Sequence, residues 1–363
     1  MKILIDINHP AHVHLFRNFA LEMMKKGNEI LAMCREKEFE ISLLQHYRIP
    51  YISMGKKNNS MIGKLMSTPL FLIKGLKIAK KFKPDFILSH GSHIAAHVSF
   101  LIRKPHIAFE DTYNKEQIWL YKPFTKAIFT SDYNHPLKSK KIIRYPGYHE
   151  LAYLHPNTFK ANPEILKELK IIKNEIFTII RFVSWKASHD IGQKGMSYDS
   201  KIKAVKEFSK YGKVFISSES DLPPDLNEYQ IQIKPHQMHQ AIAFASLMFG
   251  ESSTMAEEAA MLGVPSIYVS SKSTWYTKHL QEKYNLVFNY SADFENSNAA
   301  IQKAIEILQL HPKHQEYSAS QKNKMLDERI DVTDFMISII ENYPESIINL
   351  KQANLVSQKK ITS

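Results

Sequence analysis

The sequence predicts an α/β protein made of two successive doubly wound domains, each with a parallel sheet covered by helices on both faces. Short strand-like runs alternate with helical segments along most of the chain. The alternation breaks once, in a proline-rich stretch at residues 145–163 that is typical of a linker, and then resumes. The length of 363 residues and the hydrophobic content of 44% suffice for two cores.

The first domain is expected over residues 1–155. It opens with a strand at 2–7 and a helix at 13–26, which Gly27 ends. The other strand-like runs of this half are short and apolar: residues 29–33, 86–89, 107–109 and 127–130. Because parallel sheets bind ligands beyond the carboxyl ends of their strands, the loops after these runs are candidate sites.

The second domain is expected over residues 156–345, followed by a tail at 346–363 with a frayed end. Its strand-like runs are residues 177–183, 214–217, 231–234, 247–250 and 266–269. Two domains of this kind joined by a hinge predict a central cleft that the carboxyl ends of both sheets face.

Composition excludes several classes of protein. A single cysteine, Cys34, rules out a disulfide framework and a cysteine-based zinc cluster. The N-terminus does not resemble a signal peptide and no run of about 18 apolar residues predicts a membrane span, so we expect a cytoplasmic protein. The net charge of +12 indicates an anionic partner (nucleic acid, lipid or phosphorylated substrate) or simply a lysine-rich composition.

The strongest motif is LMFGESSTMAEEAAMLGVPS at residues 247–266. After a strand, the hydroxyl residues Ser252, Ser253 and Thr254 open a helix. Unpaired N–H groups and the helix dipole make such an N-terminus a phosphate site. Glu258, one turn later, can accept hydrogen bonds from a ribose diol, so the motif predicts a nucleoside diphosphate site. The alternative is an ordinary capped helix with acids near its start.

A second motif, RFVSWKASHDIGQKG, follows the first strand of the second domain. Arg181 or Lys186 is expected to meet phosphate charge. His189 beside Asp190 is a candidate proton-transfer or orienting pair. The alternative is a loop whose polar residues only serve its turns.

The first domain supplies candidate acid–base groups after its strands. Glu110 and Asp111 in the stretch FEDT are candidate catalytic carboxylates, and His12 in the first loop is a candidate base or sugar contact. The alternative for FEDT is that Asp111 and Thr112 cap the next helix.

A nucleotide base is expected to lie along IKPHQMH, against Lys234, His236 and Met238. No metal site is expected. His90, His93 and His97 have spacing that could form a zinc face, but no fourth ligand accompanies them. A glycine-rich dinucleotide fingerprint is also missing, which argues against a nicotinamide enzyme.

Residues 55–84 contain eight lysines and no acidic residue, interleaved with apolar residues. Such a basic, apolar segment predicts peripheral contact with an anionic membrane, at its inner face for a cytoplasmic protein. The alternative is a core helix with lysines on its solvated side.

The stretch SSTMAEEAAMLGVP resembles the nucleotide-sugar signature of two-domain (GT-B type) glycosyltransferases and of UDP-N-acetylglucosamine 2-epimerases. The resemblance implies that Ser252 and Ser253 contact phosphate and that Glu258 binds ribose. It also places Glu110 on a catalytic glutamate of the epimerases. Ser92 stands where those enzymes have a catalytic aspartate, which favours a transferase.

Nearly the whole chain except the tail resembles the domain of unknown function 354 family of predicted glycosyltransferases. The stretches that carry this resemblance are IDINHPAHVHLFR, SHGSHIAAHVSF, IAFEDT, RFVSWKASHDIGQKG and KPHQMH. It implies a GT-B-like fold with two Rossmann-like domains. The expected activity is transfer from a nucleotide sugar, a UDP-sugar above all, to a sugar or lipid-linked sugar in surface polysaccharide or glycoconjugate synthesis. It is expected to be metal-independent, because an Asp-x-Asp metal–diphosphate motif is missing.

Two other functions compete with this one. A 2-epimerase-like enzyme acting on the same donor class is the alternative. A nucleic-acid-binding protein is not expected, because no basic stretch is interleaved with exposed aromatic residues. No cofactor is expected beyond the nucleotide sugar itself, which is a substrate.

Overall fold

The computed structural model describes residues 1–56, 61–133, 139–172, 174–183 and 195–361, with the side chains of 61–66 and 354–361 left out of the description. The chain forms two compact units. The N-terminal unit contains Met1–Thr158 and Ile330–Ser363, and the C-terminal unit contains Phe159–Arg329.

The N-terminal unit is built on a seven-stranded parallel sheet with the strand order β3-β2-β1-β4-β5-β6-β7. Its strands are β1 (Lys2–Ile7), β2 (Glu29–Glu36), β3 (Tyr51–Lys56), β4 (Phe86–His90), β5 (His106–Phe109), β6 (Ala127–Ser131) and β7 (Ile142–Tyr145). Its first six helices are α1 (Pro10–Lys25), α2 (Glu40–His46), α3 (Met61–Phe82), α4 (His93–Leu101), α5 (Lys115–Tyr121) and α6 (Leu151–Leu154).

The C-terminal unit has a five-stranded parallel sheet with the order β12-β11-β10-β8-β9. Its strands are β8 (Phe177–Phe182), β9 (Lys213–Ser218), β10 (Leu247–Gly250), β11 (Ser266–Val269) and β12 (Val287–Tyr290). Its helices are α7 (Glu164–Glu168), α8 (Tyr198–Phe208), α9 (Met238–Phe244), α10 (Ser253–Leu262), α11 (Trp275–Tyr284), α12 (Phe294–Gln309) and α13 (Lys313–Glu328).

Both faces of the second sheet are covered, as a doubly wound sheet requires. Successive residues of a strand point to opposite faces. Accordingly, Ile180 packs in the cluster around Phe208 and Ile301, whereas Ile179 packs with Ile242 in a separate cluster. The near-continuous apolar strands noticed in the sequence follow from this two-sided burial.

The last two helices, α14 (Val332–Glu341) and α15 (Glu345–Ile361), belong to the N-terminal unit. The apolar face of α14 is buried, and Thr333 Oγ1 donates to the Ala152 carbonyl at 2.7 Å. This differs from the expected second domain over 156–345 and the expected separate tail at 346–363. The apolar pattern of α14 showed that it would be buried, but not which core would bury it.

Three further expectations are corrected. Residues 231–234 form no strand. The Ile231 N–H donates one hydrogen bond to the Ile216 carbonyl at 2.9 Å, and a 3₁₀ turn then follows at Pro235–Gln237. The expected linker is partly a packed element, since α6 is buried in the N-terminal unit. Helix α15 continues through Ile361, where a frayed end was expected.

Among the described helices, none combines the length and apolarity needed to cross a bilayer.

Candidate functional site

In the C-terminal unit, the strand order reverses direction at β8, which has β9 on one side and β10 on the other. Ligands of open parallel sheets bind at such a point, beyond the carboxyl ends of the strands. Here Gly250, the last residue of β10, lies opposite Arg181 of β8. Gly250 has φ +145°, and a Cβ on it would come within 2.2 Å of the Arg181 carbonyl oxygen. Only glycine fits this close approach.

Helix α10 begins directly after this point, as the motif predicts. Ser252 is its N-cap, and its Oγ accepts from the Met255 N–H at 3.3 Å. The N–H groups of Ser253 and Thr254 lie in the first turn, where no preceding helical carbonyl can accept them. The Ser253 hydroxyl is 2.8 Å from the Tyr276 hydroxyl. The half-buried start of α10 can therefore offer backbone donors to an anion.

Glu258, the predicted ribose contact, is buried on the same helix. Its Oε1 lies 2.8 Å from Nε2 of His239, at the start of α9. This pair orients the carboxylate and ties α10 to the loop with Lys234, His236 and Met238, the predicted base contacts. In this loop Lys234 is exposed, and the other two side chains are half-buried. Contact of these residues with a nucleotide stays a prediction.

Arg181, the predicted phosphate contact, already has partners. Its Nη1 donates to Ser217 Oγ at 2.7 Å and its Nη2 to Glu219 Oε1 at 3.0 Å. A phosphate would therefore compete with Glu219 for the guanidinium, which makes Arg181 a weaker candidate than the motif alone indicates.

Glu251 is a residue that the sequence reasoning missed. Its buried carboxylate accepts from the backbone N–H groups of Val183 at 2.9 Å and Met196 at 2.7 Å, and Lys201 Nζ is 3.2 Å away. Glu251 thus fixes both flanks of the second motif beside α10. The interior of that motif, with Lys186, His189 and Asp190, lies outside the described residues. An acid immediately after the strand-ending glycine was the available signal.

The N-terminal unit has its own reversal of strand order at β1, between β2 and β4. His90 ends β4, and His12 lies in the first turn of α1, which follows β1. Their ring centroids are 4.6 Å apart. The fold therefore brings together two histidines that are far apart in sequence.

Glu110, after β5, is held by a full set of hydrogen bonds. Its Oε1 accepts from the N–H of Thr112 at 2.9 Å, the N–H of Tyr113 at 2.9 Å and the Thr112 hydroxyl at 2.8 Å. Its Oε2 accepts from the Tyr121 hydroxyl at 2.8 Å. The N-cap of α5 is Asn114, so the carboxylate of Glu110 organises the loop before that helix. Its proposed role in catalysis stays a prediction.

Asp111 lies between two imidazoles. Its Oδ1 is 2.8 Å from His90 Nε2, and its Oδ2 is 3.1 Å from His149 Nδ1. Burial acts to raise the pKa of the Asp111 carboxyl, but the charges of His90 and His149 outweigh burial and hold that pKa well below its usual range. Burial also opposes charge on His90, but the Asp111 carboxylate raises the pKa of His90 to about 9.

Ser92 occupies the position at which the resemblance puts an aspartate in the epimerases. It is the N-cap of α4, and its Oγ accepts from the Ala95 N–H at 3.2 Å. Arg35 Nη2 donates to the same oxygen at 3.2 Å and to the buried Asp6 carboxylate at 2.6 Å. Ser92 therefore has a structural role at the start of α4.

The family described as "Protein of unknown function (DUF354)" matches residues 1–344. The chain belongs to this family. A sequence relative, the uncharacterized protein MJ0665 of Methanocaldococcus jannaschii, is 24% identical over 286 residues, which cover 74% of this chain and 81% of the relative.

Two solved structures show the fold. UDP-GlcNAc 2-epimerase from Neisseria meningitidis, bound to UDP-GlcNAc, has a TM-score of 0.62 at 16% identity and covers 96% of this chain and 100% of its own. The glycosyltransferase SsfS6 from Streptomyces sp. SF2575 has a TM-score of 0.57 at 12% identity, with 93% and 99% covered. These likenesses confirm the predicted fold class, a GT-B type α/β protein with two Rossmann-like units.

Proposed function

We propose that this protein is a glycosyltransferase that uses a nucleotide sugar as donor. Its structural neighbours are glycosyltransferases and UDP-GlcNAc 2-epimerases, which supports an enzyme related to nucleotide sugars. The observation that carries the proposal is the start of α10. It places backbone donors and small hydroxyl residues at the reversal point of the second sheet, where a diphosphate would be neutralised without a metal.

The donor is assigned to the C-terminal unit. Its diphosphate would accept from the N–H groups at Ser253 and Thr254, and its ribose diol would donate to the Glu258 carboxylate, which His239 holds in place. The base would lie along residues 234–238. We favour a uridine nucleotide because the N. meningitidis structure contains UDP-GlcNAc.

The N-terminal unit would supply the acceptor side and the proton acceptor. Of the three predicted groups, Glu110 is fully hydrogen-bonded and Asp111 is engaged by two histidines. His12 is the best candidate, because histidine is the commonest general base and this one lies where the strand order reverses. The acceptor would be a sugar or lipid-linked sugar of a surface polysaccharide or glycoconjugate.

Donor binding is tested by isothermal titration calorimetry with UDP, dTDP, GDP and CMP. We expect UDP to bind most tightly and Glu258→Gln to weaken it about 10-fold or more, since a hydrogen bond to a charged group is lost. Glu282→Gln, which removes an exposed carboxylate from the same unit, should leave the affinity unchanged. Binding of none of the four nucleotides would contradict the proposal.

The 2-epimerase alternative is favoured by the N. meningitidis likeness. It is disfavoured by Ser92, which caps α4 where a second catalytic carboxylate is required. Incubation of UDP-GlcNAc with the protein and no acceptor separates the two. A sugar product epimerised at C2 means an epimerase. A donor that stays unchanged without acceptor and is consumed once acceptor is added means a transferase.

We also propose that one helical layer of the N-terminal unit contacts an anionic membrane. Helices α3, α4 and α5 pack side by side in this layer. The layer exposes Leu70 (60%), Phe100 (61%) and Trp119 (74%) together with Ile73, Leu101 and Leu120. Its exposed charges are mainly basic: Lys74, Lys77, Lys80, Lys81, Arg103, Lys104 and Lys115. Apolar side chains among basic ones fit an anionic bilayer surface.

Flotation with lipid vesicles tests this contact. Binding to vesicles with phosphatidylglycerol should exceed binding to phosphatidylcholine alone, and Trp119→Ser should reduce it about 10-fold because a buried aromatic contact with lipid is lost. Trp275→Ser removes an exposed tryptophan of the other unit and should change nothing. Equal binding of both variants would contradict the proposed surface.

A further inference from the structure

His149 has an unusual environment for a buried histidine. It lies between β7 and α6, and only 5% of its side chain is exposed. Its Nε2 has no hydrogen-bond partner among the residues that the structure describes. A buried polar group without a partner costs free energy, so native proteins rarely leave one without a ligand, an ion or a water.

The ring is nevertheless directed at other potential ligand atoms. Nδ1 of His149 is 3.1 Å from Asp111 Oδ2, and Asp111 Oδ1 is 2.8 Å from His90 Nε2. One potential ligand atom from each of His90, Asp111 and His149 lies within 4.8 Å of the other two. Ligands bound at about 2.0–2.2 Å to one ion lie roughly 3.0–3.5 Å apart. The two contacts at Asp111 are therefore close to the spacing of a coordination shell.

We propose that His90, Asp111 and His149 form a site for one divalent transition metal ion. Two imidazoles and a carboxylate suit zinc, iron or manganese better than calcium or magnesium, which prefer oxygen ligands. Three ligands from different elements leave at least one coordination position open. Asp111 and His90 are partly exposed, so this position can accept water or a ligand oxygen.

This site goes against the sequence-based expectation of no metal, in which the only histidine set weighed was His90, His93 and His97. In the structure the local set does not assemble, because His90 is grouped with Asp111 and His149 and the rings of His93 and His97 pack against each other at 6.5 Å. The actual partners come from 21 and 59 positions further along the sequence, where no helical spacing could point to them.

The competing interpretation is a chain of hydrogen bonds in which a proton on His90 balances Asp111. In both interpretations a positive charge neutralises the Asp111 carboxylate. The charge is a proton on His90 in one and a metal ion in the other. The site does not depend on the proposed nucleotide-sugar chemistry, since binding of a metal can be measured without any sugar nucleotide.

Metal binding is tested on the untagged full-length chain after stripping with a chelator. Zn²⁺ is titrated by calorimetry in competition with a chromophoric chelator, and Co²⁺ binding is followed by visible absorption. We expect about one equivalent of tight Zn²⁺ per chain. Replacing a ligand, in His149→Ala or Asp111→Asn, should weaken binding more than about 100-fold, beyond the loss typical of outer-shell changes.

His97→Ala is the matched control, since it removes a histidine of the same unit that is outside the site. It should keep the wild-type Zn²⁺ affinity. Circular dichroism of each metal-free variant checks that the fold is retained. The proposal is overturned if wild-type protein binds no more Zn²⁺ than His149→Ala, which would leave the hydrogen-bonded chain as the explanation.

Discussion

The two units use the same topology to present different chemistry. In each, the strand order reverses beside a central strand, and the residues that follow the neighbouring strand lie at the candidate site. In the N-terminal unit that strand, β4, ends in His90, which faces Asp111 and His12. In the C-terminal unit the corresponding strand, β10, ends in Gly250, and the donors that follow are backbone N–H groups.

The difference shows two ways of making a site from one fold. A site of backbone donors needs the main chain to come close to its neighbour, so it requires a residue without a side chain and a capped helix. A site of titratable side chains needs partners from several elements, since single buried charges are unstable. The first is encoded locally in sequence, and the second is assembled only by folding.

The largest expected effect is that of Gly250→Ala. A Cβ at this position would lie 2.2 Å from the Arg181 carbonyl oxygen, at a φ of +145° that side chains rarely adopt. We expect the free energy of unfolding to fall by about 3 kcal/mol. UDP affinity should fall as well, because β8 and β10 must separate beneath α10. Urea unfolding and calorimetry measure the two effects.

Gly263→Ala in the same unit is the control. Gly263 also has a positive φ, +79°, but its Cβ would first meet the flexible Lys322 side chain, at 3.1 Å. We expect a loss of about 1 kcal/mol and normal UDP affinity. If both variants behaved alike, the close approach of the two strands would not be what distinguishes this site.

This contrast explains how much of the site the sequence could predict. Ser252 and Glu258 stand within two turns of one helix, so spacing along the chain was enough to identify them. The partner of Glu258, His239, and the partner of Asp111, His149, come from other elements and carry no local pattern. Only the packing of α9 and of the segment before α6 brings them into contact.

The same distinction between local patterns and tertiary contacts decides which parts of the fold could be predicted. Alternating strands and helices predicted two parallel sheets, because the period of burial is a local property. The place of α14 was not predictable in this way, since its apolar residues fit any core. Likewise, three prolines and a glycine between residues 145 and 163 indicated a linker, although Leu151 and Tyr153 are buried there.

The N-terminal sheet contains a buried neutral histidine, His106. His106 lies between the Ser89 and Thr125 hydroxyls, at 2.8 Å from each, and burial lowers the pKa of His106 to about 3. Unfolded imidazole takes up a proton near pH 6.5, so below that pH the unfolded chain binds one more proton than the folded chain. The free energy of unfolding should therefore fall as pH decreases from 6.5 towards 3.

The expected contribution is at most about 1.4 kcal/mol per pH unit within that window. Urea unfolding at several pH values measures how steeply the free energy of unfolding changes with pH. His106→Gln should lower this slope by about 1.4 kcal/mol per pH unit, which corresponds to one proton fewer taken up on unfolding. His46→Gln, at an exposed histidine of the same unit, should leave the slope nearly unchanged. An unaltered slope in His106→Gln would show that burial does not keep this imidazole neutral in the folded chain.

The smallest expected effect separates capping from anion binding at α10. Ser252→Ala removes the hydroxyl that accepts the Met255 N–H, and Asp293→Ala removes the equivalent cap of α12, whose Oδ1 accepts the Asn296 N–H at 3.0 Å. Each should cost about 1 kcal/mol of unfolding free energy. Only Ser252→Ala should also weaken UDP binding, by a few-fold, because the first turn of α10 becomes less ordered where the diphosphate is expected. If the two variants bound UDP equally well, the start of α10 would be an ordinary helix cap. The C-terminal unit would then not present backbone donors to an anion, and the two units would not differ in this way.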